Sequence, residues 1–152
     1  MAALDLTILL AEDDDGHAEL VEASLREAGI ANPLQRFRDG REILAHLEAL
    51  AERGRLAPPA PFVLLLDIRM PRLDGVGVLR RIKADPRLAV LPVVMLTTTD
   101  DPREVEACYA LGCNAYLTKP VGYEAFVETL RRLGLFLEVL QVPPSPRAAG
   151  AP

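Results

Sequence analysis

Four side chains with chemistry to offer stand where apolar runs end. Glu12 and Asp13 follow Leu6–Ala11, Asp67 follows Phe62–Leu66, and Lys119 follows Ala115–Thr118. Three carboxylates brought together repel one another and partly protonate unless a cation joins them. An all-oxygen cluster of that kind suits Mg²⁺, which keeps several waters and serves phosphoryl chemistry. One of the carboxylates can then act as a nucleophile toward phosphorus. Asp67 is the natural choice, because it ends the most apolar run and can point into a crevice. Lys119 offers a mobile point charge for a phosphoryl oxygen, and the hydroxyl of Thr97, closing another apolar run, offers a hydrogen bond.

These roles require distant residues to converge, and the intervening elements say how. Short continuous apolar runs that alternate with amphipathic stretches predict strands buried on both faces of a parallel sheet. The runs are Leu6–Ala11, a weaker one around Leu34–Phe37, Phe62–Leu66, Pro92–Leu96 and Ala115–Thr118. Between them, helical spacing is carried by Ala18, Val21, Leu25 and Ala28, then by Ile43, Leu47 and Leu50. It recurs in Val76, Leu79 and Ile82, in Val105, Cys108 and Leu111, and in Phe126, Leu130, Leu133 and Leu137. Asp14 or Asp15 can cap the first helix and Gly29 can stop it. Asp74-Gly75 marks a turn before the third helix, Asp85-Pro86 ends it, and Pro102 opens the fourth. The proline-bearing link from Gly54 to Pro61 reads as an exposed loop.

Five β-units alternating with five α-units predict an α/β fold, a doubly wound five-stranded parallel sheet with helices on both faces. Right-handed crossovers and central placement of the most apolar strands favour the flavodoxin-like order 2-1-3-4-5. Ligands bind such sheets outside the carboxyl ends of the strands, at the switch point between strands one and three. Glu12, Asp13 and Asp67 would meet there.

Composition narrows the function. The chain has 152 residues, a net charge of −5 and half its residues hydrophobic, so one domain with a substantial core is expected. No basic tract supports a nucleic-acid partner, no apolar stretch is long enough to span a bilayer, and no basic n-region precedes Asp5. A cytoplasmic protein is expected. Cys108 and Cys113 lack metal-ligand spacing and read as small buried residues in a reducing compartment. His17 and His46 read as exposed helix residues with no nucleophile beside them.

The combined pattern resembles the response-regulator receiver domain of two-component signalling. It comprises the carboxylate pair after strand one, Asp67 in Leu-Leu-Asp-Ile-Arg-Met-Pro-Arg-Leu-Asp-Gly, Thr97 after Val-Val-Met-Leu, and Lys119-Pro120. The resemblance covers about Leu6 to Leu140. It implies a CheY-like fold and phosphorylation of Asp67 by a sensor histidine kinase. It also implies Mg²⁺ held by Glu12, Asp13, Asp67 and the backbone carbonyl of Arg69, and a cis bond between Lys119 and Pro120. Thr97 would move toward the phosphoryl group and Tyr116 would change rotamer inward, repacking the surface of the fourth helix, fifth strand and fifth helix.

Some features depart from the chemotaxis-type pattern. Glu12 replaces the commoner aspartate, and its longer side chain would reach the metal through water. Thr98 follows Thr97 where many members carry a smaller residue, which would narrow access to Asp67. Arg69 and Thr99 flank the site where members vary to tune phosphate lifetime. The long Gly54–Pro61 link and the extended last helix look like the single-domain regulators that partner bacterial phytochromes, which implies a phytochrome-type kinase. Residues 1–141 would form the receiver, and the Pro/Ala-rich tail 142–152 would be flexible. With twelve residues after Leu140, no output domain is expected, and the chain would signal through protein contacts. Leu133, Leu135, Phe136, Val139 and Leu140 give the end of the last helix an apolar circumference, which predicts a homodimer built partly on that segment.

Three alternatives compete. An aspartyl-phosphate phosphatase also uses a strand-end aspartate, Mg²⁺ and a lysine, but it places a second aspartate where this chain has Arg69. The chain is therefore expected not to be an enzyme beyond catalysing its own phosphoryl transfer and dephosphorylation. A flavin-binding electron carrier would want a phosphate-cradling loop where Glu12-Asp13-Asp14-Asp15 is repulsive. An unphosphorylated scaffold would have no need of the intact acidic, threonine and lysine set.

Overall fold

The strands form where the apolar runs are. In the computed structural model, which describes residues 6–57, 60–97, 101–118 and 127–132, the strands are β1 (Thr7–Ala11), β2 (Leu34–Phe37), β3 (Phe62–Leu66), β4 (Val93–Thr97) and β5 (Ala115–Thr118). All five pair in parallel, in the order β2-β1-β3-β4-β5. Every residue of β3 is buried, as expected of a central strand covered on both faces.

Helices α1 (Asp15–Glu27), α2 (Gly40–Glu52), α3 (Gly75–Ala84) and α4 (Pro102–Leu111) connect the strands, and residues 127–132 are helical after β5. Side chains alternate across the sheet, so two cores form. Leu9, Leu64, Leu66, Val93 and Met95 pack with Ile43, Leu47, Val78, Leu79, Ile82 and Cys108 from α2, α3 and α4. Ile8, Leu10, Val63, Leu65, Val94 and Leu96 pack with Ala18, Val21 and Leu25 of α1 and with Leu130.

Aspartates cap the starts of α1, α2, α3 and α4. The Asp14 carboxylate accepts from the His17 N–H at 2.8 Å, Asp39 from Arg41 and Glu42, Asp74 from Gly77, and Asp101 from Arg103. That first bond holds the Asp14 carboxyl below its usual range. Gly29 and Gly54 take left-handed φ of 88° and 71° just past α1 and α2. The following N–H groups, of Ile30 and Arg55, return to the carbonyls of Leu25 and Leu50. Both ends are therefore Schellman motifs, which satisfy the orphan carbonyls.

Two expectations need correction and one needs an addition. From α3, Val78 is fully buried together with Leu79 and Ile82, while Val76 packs partly buried against the same core. The link after α2 is not wholly exposed, since the reversal at Gly54 carries Leu56 into the core at 1% exposure. His46 is half-buried against the Phe37 ring, 4.8 Å between centroids, and burial lowers its pKa. Cys108 and Cys113 are buried free thiols, as expected. The predicted boundary between a receiver body and a tail at residue 142 lies outside the described residues.

Candidate metal and phosphoacceptor site

Strand register brings the acidic residues together. Ala11 of β1 pairs with Leu66 of β3, so Glu12-Asp13 and Asp67 leave the sheet at the same level of its C-terminal edge. The Asp67 N–H donates to the Ala11 carbonyl at 3.0 Å, and the Glu12 N–H donates to the Phe37 carbonyl at 2.9 Å. One carboxylate oxygen from each of Glu12, Asp13 and Asp67 lies within 4.8 Å of the others. Glu12 and Asp67 are buried, at 1% and 6% exposure, while Asp13 is exposed.

The backbone around Asp67 is fixed by close approach. The Gly75 N–H donates to the Ile68 carbonyl at 2.7 Å. A Cβ on Gly75 would stand 2.2 Å from the Asp67 carbonyl oxygen, so only glycine lets α3 begin against this turn. The loop after β1 is held from the edge strand. Arg36 of β2 donates from Nε to the Glu12 carbonyl at 3.0 Å and from Nη1 to Asp15 at 2.6 Å. Arg36 and then Arg38 hold the Asp15 carboxyl below its usual range. The Asp14 N–H donates to Glu12 Oε2 at 3.2 Å, and His17 Nδ1 stands 3.9 Å from the same oxygen.

The donors fit a hard divalent cation. All three are carboxylates, and their greatest separation is near the about 4.2 Å that divides opposite ligands of a Mg²⁺ octahedron. A small side-chain movement or one bridging water accommodates the difference. Beside the cluster lies an open depression of about 510 Å³ lined by Asp13, Ile68, Arg69, Met70, Pro71, Asp74, Val76 and Glu104. Through it Asp13 and the loop that follows Asp67 are open to solvent.

The remaining expected residues divide by what the structure describes. Thr97 is the last residue of β4, one position past Leu96 at the same edge of the sheet, and its backbone pairs with Thr118. Tyr116 of β5 pairs with Met95 and is half-buried against the core on the α2–α3–α4 side. Arg69 lines the depression. Thr98, Lys119 and Pro120, with the expected cis bond, lie outside the described residues, as do Leu133, Leu135, Phe136, Val139 and Leu140.

Sequence reasoning missed Glu104, Arg36 and the steric role of Gly75. Glu104 sits in the first turn of α4, and a helix that follows β4 must begin at the edge of the sheet where the carboxylates gather. That topological signal was available. Nothing in the sequence marked Arg36, whose partners are 21 and 24 residues away.

A receiver-type parallel sheet with an acidic cluster at its switch point defines the class, and comparison with known proteins agrees. The family profile of the response regulator receiver domain matches residues 8–131. The chain belongs to that family. It is 36% identical over 137 residues to the response regulator Rcp1 of Synechocystis sp., spanning 90% of this chain and 92% of the relative. Among solved structures it resembles a receiver domain from Rhodospirillum rubrum, with 44% identity and a TM-score of 0.79 over 91% of this chain and 97% of the other. It also resembles the phosphorylated cyanobacterial phytochrome response regulator RcpA (29%, TM-score 0.76, 92% and 99% covered). The Mn²⁺-bound form of Rcp1 gives 33% and 0.75, covering 91% and 99%. Among the described residues, no helix is long and apolar enough to cross a membrane.

Proposed function

We propose that this chain is a cytoplasmic response regulator that accepts a phosphoryl group on Asp67 from a sensor histidine kinase, with Mg²⁺ as cofactor. The observation that carries this reading is the meeting of three carboxylates from two strand ends, within 4.8 Å, beside an open depression. The Mn²⁺-bound relative Rcp1 supports a divalent ion at such a site. Glu12, Asp13, Asp67 and the Arg69 carbonyl would hold it, and the bound ion supplies neutralisation of the phosphoryl oxygens as they approach.

Asp67 then presents one carboxylate oxygen to phosphorus. A P–O bond forms to Asp67 as the P–N bond of a phosphohistidine breaks, and the imidazole leaves with the electron pair. Thr97, Thr98 and Lys119 take phosphoryl oxygens, and Tyr116 follows the repacking between α4, β5 and the last helix. Leu133, Leu135, Phe136, Val139 and Leu140 form a homodimer surface, and the readout is through protein contacts rather than nucleic acid. The likeness to the phytochrome regulator RcpA makes a phytochrome the proposed type of kinase.

Catalytic turnover of outside phosphate esters is not part of this function. The position two beyond the nucleophile, where a phosphatase needs an acid/base carboxyl, is the exposed Arg69. The test is intact-mass measurement after incubation with Mg²⁺ and a small acyl phosphate. One phosphoryl adduct is expected on the wild type and none on Asp67→Asn. An equal adduct on both proteins, or sustained release of phosphate from monoesters, would overturn the reading.

A further inference from the structure

The depression beside the carboxylate cluster holds one ion pair that the phosphoryl chemistry described above does not use. Arg69, two residues beyond Asp67, places Nη2 3.7 Å from Glu104 Oε2 in the first turn of α4. Both residues line the depression together with Asp13. The two partners differ in their surroundings. The Arg69 side chain is 68% exposed, whereas that of Glu104 is 29% exposed. The other Glu104 oxygen, Oε1, is buried, with no hydrogen-bond partner among the described residues.

An under-satisfied, half-buried carboxylate holds a nearby cation more firmly than a solvated one does. The guanidinium, on a long solvated stem, has the freedom to leave. A phosphoryl group on Asp67 carries nearly two negative charges where the carboxylate carried one, and presents three acceptor oxygens, which a guanidinium fork matches better than a single oxygen at 3.7 Å. Two anionic sites, Glu104 and the phosphorylated Asp67, therefore compete for one arginine.

We propose that Arg69 is an exchangeable phosphoryl-binding residue and that Glu104 is the positioning residue that holds it off Asp67 until the phosphoryl group arrives. The exchange takes the charge change at Asp67 to the first turn of α4, which loses its cation when Arg69 moves. This rests on the reading of Asp67 as phosphoacceptor. The N-terminal dipole of α4 favours an acidic residue at position 104 in any case, so the test must separate exchange from simple electrostatics.

Fluoroberyllate with Mg²⁺, a non-covalent phosphoryl mimic, is titrated into the full chain and followed by fluorine NMR. Four proteins are compared: wild type, Glu104→Gln, Arg69→Gln and the double variant. Freeing Arg69 should tighten half-saturation in Glu104→Gln by about three- to fivefold, the scale of an exposed ion pair. In the Arg69→Gln background the same change should have no effect, because no guanidinium remains to be freed. Equal tightening in both backgrounds would mean that Glu104 acts only through its charge, and would overturn the proposal. So would no tightening in either. Absence of any adduct on the wild type at saturating Mg²⁺ would instead remove the receiver reading, and the proposal with it.

Discussion

Gly75 carries no side chain because the Asp67 carbonyl occupies the space where one would be. A Cβ at 2.2 Å from that oxygen and 2.7 Å from the Ile68 Cα cannot be relieved by a rotamer change, since both neighbours are backbone. Gly75→Ala should therefore push the start of α3 away from the turn that aims Asp67. A loss of about 1–3 kcal/mol in urea unfolding is expected, as for an overpacked core, together with reduced phosphoryl uptake. Unchanged stability would mean that the turn is looser than the geometry says. The residue scale is also where the sequence was read most unevenly. Glu12, Asp13 and Asp67 were legible because each ends an apolar run, and strand ends of a parallel sheet converge. Gly75 was legible only as a turn, because a steric role requires knowing which carbonyl lies opposite. Glu104 was not legible as a partner of Arg69, since α4 is brought beside the β3–α3 loop by packing and not by spacing.

Elements show a second kind of coupling. Asp39 caps α2 through the N–H groups of Arg41 and Glu42, both at 2.9 Å, and its other oxygen receives Arg72 Nε at 3.1 Å. Arg72 lies in the loop after β3 with a φ of 69°, a left-handed conformation that is strained for a residue with a Cβ. One carboxylate thus ties the start of α2 to the loop that follows Asp67. Asp39→Ala should lower stability by about 1–2 kcal/mol, most of it from the lost cap, seen as a lower midpoint in thermal melting. The pair with Arg72 is exposed on the arginine side and should add little. The apolar runs placed β2, β3 and β5 with the bounds they have. The depth of Val78 was not legible, because Val76 and Val78 are equally apolar and only the helix phase set by Asp74 buries Val78 fully and Val76 in part.

At the scale of the whole molecule, two cores meet at one sheet, and α4 covers the β4–β5 side with a single fully buried residue, Cys108. Burial pushes the Cys108 thiol up to about 11 from an ordinary 9.0, and burial also raises Cys113. A folded pKa raised above the unfolded value means that the folded state keeps its proton where the unfolded chain loses it. The contribution is complete below pH 9.0 and is lost as pH rises through about 11. The urea midpoint should therefore fall across that window, and Cys108→Ala should flatten the fall. A midpoint independent of pH there would show that the thiols are wetter than their burial implies. The fold class was legible at this scale because continuous apolar runs leave a strand no solvent face. The buried Leu56 was hidden because it lies in a link whose neighbours are polar, and only the reversal after Gly54 turns it inward.

The central claim is that a divalent ion makes one carboxylate of an anionic cluster, Asp67, the acceptor of a phosphoryl group. The most direct measurement is to phosphorylate the full chain, reduce the acyl phosphate with borohydride and locate the resulting homoserine by peptide mass spectrometry, with and without a chelator. The account predicts homoserine at position 67 alone, and only when Mg²⁺ is present. Homoserine at Asp13 or another aspartate, the longer 2-amino-5-hydroxypentanoate at Glu12, or an unchanged yield at position 67 after chelation, would contradict it.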